Sequence, residues 1–223
     1  TNPETTGSIL NSLKYACTST TIDVVLGSLA AWLIIRARLR GRNVLDGMCM
    51  LPLAVPGLIL AAGYVAMTAP GSYLQAIGPT RNPFIILAIA YSVRRLPFVV
   101  RGVSAGLQQV PESMEEAARN LGASRLRAIL RITLPLIAAN MLAAAVLTFA
   151  FAMLEVSDSL ILAQSPDYYP ITKQIFRLAT STGSPEAINR AAAMGVYGMA
   201  LLGGTMVLAS ALLGKRLGAI FRA

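Results

Sequence analysis

Residues 101–133 read RGVSAGLQQVPESMEEAARNLGASRLRAILRIT, and the run that follows, Leu134 to Leu154, reads LPLIAANMLAAAVLTFAFAML. The first stretch is basic and patterned. The second is apolar over the ~20 residues that a helix needs to cross a bilayer. Within the first, Pro111 suits an opening helical turn, where a missing N–H costs nothing. Ser113 followed three residues later by Glu116 is a capping-box pattern. Ala117, Ala118 and Leu121 then make a short apolar stripe, and Gly122 stands where a helix stops. Ser124 is placed to cap a second helix through Leu126, Ile129 and Leu130, and Pro135 opens the apolar run. The spacing predicts two short helices at a sharp angle. Between them lies a small-residue surface fit to enter another protein's groove.

Outward from this stretch, four more apolar runs bring the expected spans to five: about 13–35, 48–68, 84–100, 134–154 and 191–213. None shows sustained period-two alternation, so strands are not indicated. The expected class is all-α, a polytopic membrane protein with residues 1–223 as a single transmembrane domain and 101–133 as its long connection. Composition agrees. Hydrophobic residues make up 55% of the chain and charged residues 13%, against about 25% in an average soluble domain, with mean hydropathy +0.63. A soluble all-α protein is the disfavoured alternative. Glycines in the fifth run (Gly195, Gly198, Gly203, Gly204) and Pro52, Pro56, Gly57 and Gly63 in the second suit close packing and bending of membrane helices.

Charge placement orients the runs. Most of the 19 Lys and Arg lie in three regions: Arg36, Arg38, Arg40 and Arg42 after the first run; Arg94, Arg95, Arg101, Arg119, Arg125, Arg127 and Arg131 between the third and fourth; and Lys215, Arg216 and Arg222 at the end. Alternation of this kind is what the positive-inside bias requires of a cytoplasmic side. It predicts an external N-terminus and a cytoplasmic C-terminus. The near-neutral 154–190 connection, with Glu155, Asp158, Asp167 and Glu186 against Lys173, Arg177 and Arg190, then lies outside. The chain opens on Thr1 in the polar run TNPETTGS without signal-peptide order, and is expected to be a piece whose N-terminus lies upstream.

Several functions are disfavoured by residue type. The chain has no histidine, which removes His-based triads and His-ligated metal sites, and its two cysteines, Cys17 and Cys49, make no zinc site. They fall near opposite ends of antiparallel spans, too far apart for a disulfide. Gly214-Lys215 is followed by Arg216, not by the Ser or Thr of a phosphate loop, so no nucleotide site or other cofactor site is expected. Nucleic acid is not an expected partner, because the positive charge alternates with spans. Three acids are candidates for a pathway or its outer gate. Asp23 lies in a half-polar first span behind Thr18, Ser19, Thr20 and Thr21, and Glu155 and Asp158 stand just beyond the fourth run. Acids of this kind cost ~2.5–3.5 kcal/mol at mid-helix in lipid and should face protein or water. The acids of the external 154–190 connection also lean toward a cationic substrate.

Glu116-Ala117-Ala118, Gly122, Ile132 and Leu134-Pro135 resemble, at every spacing, the cytoplasmic signature of binding-protein-dependent ABC importer permeases. At average composition the coincidence is on the order of once in a million chains this long. Arg94-Arg95-Leu96-Pro97-Phe98-Val99-Val100-Arg101 and Met153 to Gln164 are similar to permeases for ferric iron and for organophosphonates such as 2-aminoethylphosphonate. The resemblance covers nearly the whole chain, which is most like a C-terminal half of the fused members. It implies the type I importer fold, with 101–133 as a coupling-helix loop in the bacterial inner membrane. Glu116, Ala117, Ala118, Gly122, Ala123 and Ser124, with Ile132, Leu134 and Pro135, would then dock an ATPase dimer that performs the hydrolysis. Further implied partners are a second permease half, a periplasmic or extracellular substrate-binding protein, and membrane lipid. The alternative is an ion-coupled secondary transporter, which should show several deep ionisable residues and an internal repeat.

Overall fold

The computed structural model describes residues 3–37, 39–181 and 184–220, without the side chains of 208–210 and 212–220. Arg38 and Arg222, and the side chains of Lys215 and Arg216, therefore lie outside the described residues, as does the end of the fifth apolar run. The regular elements are all helices, with no strand among the described residues. In order the helices are α1 (Pro3–Ile35), α2 (Arg42–Ala54), α3 (Gly57–Met67), α4 (Phe84–Gln109), α5 (Glu112–Asn120), α6 (Arg125–Ala128), α7 (Leu134–Met153), α8 (Ser157–Leu162), α9 (Ile171–Thr180) and α10 (Pro185–Ile220). A π-turn, Ile129–Thr133, joins α6 to α7. By length and composition, α1 and the continuous Arg125–Met153 rod can each cross a bilayer, and α2 with α3 is a bent third candidate.

Three boundaries differ from the sequence expectation for physical reasons. The run 48–68 is not one straight span: α2 and α3 meet at 102°. Val55 is extended (φ −99°, ψ 129°) because it precedes Pro56, which disfavours the helical region for it. The run 84–100 is the first part of a 26-residue helix that carries on through Arg94, Arg95 and Arg101. Finally, the second short helix after Gly122 is not separate, since α6 runs into α7 through the π-turn. Pro135 explains that turn: it cannot donate to the preceding turn, and its ring crowds the carbonyl four residues back, so the helix widens there.

Helices α1, α4 and α7 pack against one another as the centre of the bundle. Glycine sets the closeness. A Cβ on Gly102 of α4 would stand 2.6 Å from the Cβ of Ala144 on α7, and one on Gly27 of α1 would stand 2.9 Å from Val99. Two cores result. Tyr15, Ile86, Leu87, Tyr91, Met153 and Leu162 fill one half, and Ala31, Val99, Val103, Leu107 and Ile137 fill the half nearer α5. In the first half, the 157–180 segment folds back on α1: Tyr15 donates to the Tyr168 carbonyl (3.0 Å) and Ser12 accepts from the Ile171 N–H (2.8 Å).

Candidate functional site: the α5–α6 hairpin and a buried charge cluster

The hairpin between α4 and α7 stands clear of the bundle. Every residue of α5 is at least partly exposed, and Leu121 is 90% exposed. Gly122 makes the turn with φ +88°, and Ser124 accepts from the Arg127 N–H at 3.3 Å to cap α6. The expected capping box does not form. The N-cap of α5 is Pro111, so the helix starts at Glu112 and Ser113 already lies within its first turn. Glu116, Ala117, Gly122, Ser124 and Pro135 are exposed, and Ala118, Ala123, Ile132 and Leu134 are half-buried. A polar cleft of about 580 Å³ opens between Glu116, Arg119, Ala123 and Arg125.

Residues outside the signature hold this hairpin in place. Arg36, just past the end of α1 and with its side chain only 6% exposed, donates to the carbonyls of Leu107 (3.0 Å) and Val110 and pairs with Glu112 at 3.5 Å. It satisfies the open C-terminal carbonyls of α4 and reaches the first turn of α5 at once. Thr133 donates to Glu115 at 2.6 Å, and the Arg125 guanidinium lies 4.9 Å over the Trp32 ring. Glu115, Thr133 and Arg36 carried no distinct sequence signal. Arg36 stood among other arginines, and only its position at a helix end sets it apart.

The second feature lies at the middle of α4. Arg95, 4% exposed, donates to the carbonyls of Tyr91 (3.0 Å) and Phe151 (2.8 Å) and to Glu155 Oε2, and sits 5.1 Å over the Tyr91 ring. Arg94 Nη1 is 3.8 Å from Glu155 Oε1 and 3.9 Å from Asp158 Oδ1. Gly57 makes room for it, because a Cβ there would stand 1.6 Å from that same nitrogen. Ser92 donates to Asp23 at 2.5 Å. Asp23 and Asp158 are 0% exposed and Glu155 7%.

Two expectations are corrected by this cluster. Arg94 and Arg95 do not belong to the basic connection: they sit mid-helix, paired with acids. Glu155 and Asp158 are not surface acids and give no lean toward a cation, because two guanidiniums balance them. The signal was legible as a pair of cations interrupting one apolar run and a pair of acids closing another. Cys17 is exposed and Cys49 buried, and both are free.

Residues 23–223 match the family described as binding-protein-dependent transport system inner membrane component. The chain belongs to this family. It is 34% identical over 176 residues to a Haloferax volcanii protein named probable molybdenum ABC transporter permease, covering 78% of this chain and 64% of that one. It is 32% identical to a ferric transport system permease of Actinobacillus pleuropneumoniae (67% and 21% covered) and to a sulfate transport system permease of Salmonella typhimurium (67% and 56% covered). The chain thus spans less than two thirds of the length of each. Among solved structures, a bacterial ABC transporter that imports alginate superposes with TM-score 0.79 at 21% identity, covering 96% of this chain and 80% of that one. An inward-facing methionine ABC transporter gives TM-score 0.71 at 15% identity, with 94% of both chains covered. At these identities the structures establish a shared permease fold.

Proposed function

We propose that residues 1–223 form one half of the membrane pathway of an ATP-driven importer, with the 101–133 hairpin as the surface that docks an ATPase. The observation that carries this is an exposed small-residue helix, α5, ended by a left-handed glycine and fastened to the bundle through Arg36 and Thr133. A surface held rigidly while its own outer face is uncovered can pass a push from a partner into α1, α4 and α7. Glu116, Ala117, Ala118, Gly122, Ala123 and Ser124 are the contact, and Ile132, Leu134 and Pro135 set the widened turn beneath it. Family membership favours this reading over an ion-coupled secondary transporter. A second permease half, identical or paired, covers the partly polar face, and a substrate-binding protein delivers from outside; the solved alginate ABC transporter, in complex with an alginate-bound periplasmic protein, supports a partner of that kind.

In this reading the hairpin is cytoplasmic and the N-terminus external. Without Arg94 and Arg95, the support is Arg119, Arg125, Arg127 and Arg131 on the hairpin, with Arg36, which reaches Glu112 of the hairpin, and Arg40 and Arg42 just after α1. Glu155 and Asp158 with Arg94 and Arg95, and Asp23 beside them through Ser92, form a gate: the ion pairs tie α4 to the junction of α7 and α8, which parts from it only when they exchange partners. The substrate is a small ion of the kind named for the relatives, ferric iron, sulfate or molybdate, with an organophosphonate as the other candidate. Uptake into vesicles carrying the permease, its ATPase and its binding protein tests this. Uptake should require ATP and be abolished without the ATPase. Accumulation driven by an ion gradient alone would overturn it.

A further inference from the structure

On the reading of this chain as a membrane permease, one groove is not used by the docking hairpin's outer face or by the charge cluster. It lies between α1, α4 and the π-turn, lined by Val25, Leu29, Trp32, Val103, Ile129 and Ile137, with a volume of about 490 Å³. The outer wall is open, since Val25 is 62% and Leu29 55% exposed. Its lining is apolar but for Ser28 and Thr133, so a flexible apolar chain can lie in it.

One end of the groove is charged. Arg125 lies 4.9 Å over the ring of Trp32, which lines the groove, and among the described residues no carboxylate is within ion-pair distance of Arg125. The adjoining segment 125–133 adds Arg127 and Arg131 and contains no acid. An apolar slot ending at a guanidinium that has no ion-pair partner among the described residues and lies over an indole matches a molecule with an apolar chain and an anionic head. We propose that this groove holds an acyl chain of an anionic phospholipid, with its phosphate on Arg125. The lipid then bridges α1 to the rod that carries the hairpin.

Trp32 is the only tryptophan of the chain, which makes it a reporter. The purified full-length chain is placed in nanodiscs containing phosphatidylglycerol or phosphatidylcholine with brominated acyl chains, and Trp32 fluorescence is followed against brominated-lipid fraction. Half-quenching should need about fivefold less phosphatidylglycerol than phosphatidylcholine. Arg125→Ala should abolish that preference, and Arg125→Lys should keep part of it. Equal quenching by both lipids would mean ordinary surrounding lipid, and no quenching would mean a protein segment or second copy covers the groove; either overturns the proposal. The wild-type comparison needs no variant, ATPase or substrate, so its outcome is separate from that of the transport reading.

Discussion

At the residue scale, the cluster around Arg95 decides what a single change does. Removing one partner of a buried ion pair leaves an unpaired charge, at a cost of about 3–5 kcal/mol, whereas replacing both by apolar groups is often near neutral. Glu155→Gln should therefore lower the unfolding free energy in detergent by that order. The double change Arg95→Met with Glu155→Leu should recover most of the loss in stability while uptake stays impaired. Full uptake in the double variant would remove the gate reading. Arg36 acts differently, by fastening α5 from beneath. Arg36→Ala loses two bonds to carbonyls from a charged donor and should cost about 2–3 kcal/mol. It should also lower ATPase stimulation by substrate, with Arg36→Lys intermediate in both; unaltered stimulation would mean that Arg36 does not position the hairpin.

At the element scale, packing of α4 on α1 and α7 depends on absent side chains. Gly102→Ala forces the Ala144 backbone or α4 to move, since the contact would be 2.6 Å to a Cβ that cannot rotate away. A loss of about 1–3 kcal/mol is expected from such overpacking, read as a lower thermal midpoint, while Gly63→Ala, inside α3 with nothing within 4 Å, should leave the midpoint unchanged or raise it slightly. Much of this level was legible in the sequence. Four of the five apolar runs fall on the long helices α1, α4, α7 and α10, and Gly122 and Ser124 take their expected conformations, because each is governed by local rules of hydropathy, left-handed turns and capping. The misses arose where a distant partner wins over the local pattern. Arg94 and Arg95 resemble the end of a short span until Glu155 and Asp158 are brought beside them from sixty residues away in sequence. Ser113 fits a capping box until Pro111 starts the helix earlier. The break at Val55–Pro56 was signalled by the proline, but its 102° angle reflects how α3 lies against α8 and not a propensity.

At the scale of the whole molecule, the hairpin and the three central helices form one mechanical link. The hairpin is joined to α1 by Arg36 and Arg125, to α4 through Pro111, and to α7 through an unbroken rod. A force on α5 is delivered to all three central helices, and the charge cluster at mid-α4 is where they are tied to α8. The measurement that tests this most directly is ATPase capture and substrate-stimulated hydrolysis in a reconstituted complex carrying Gly122→Asp or Ala118→Trp. Gly122→Asp puts a charge and a side chain at φ +88°, where strain costs about 1–2 kcal/mol, and Ala118→Trp adds bulk alone. Both variants should insert and fold in the membrane like the wild type while losing ATPase capture and coupling. Wild-type capture and coupling in both would show that the hairpin is not the docking surface, and would contradict the account.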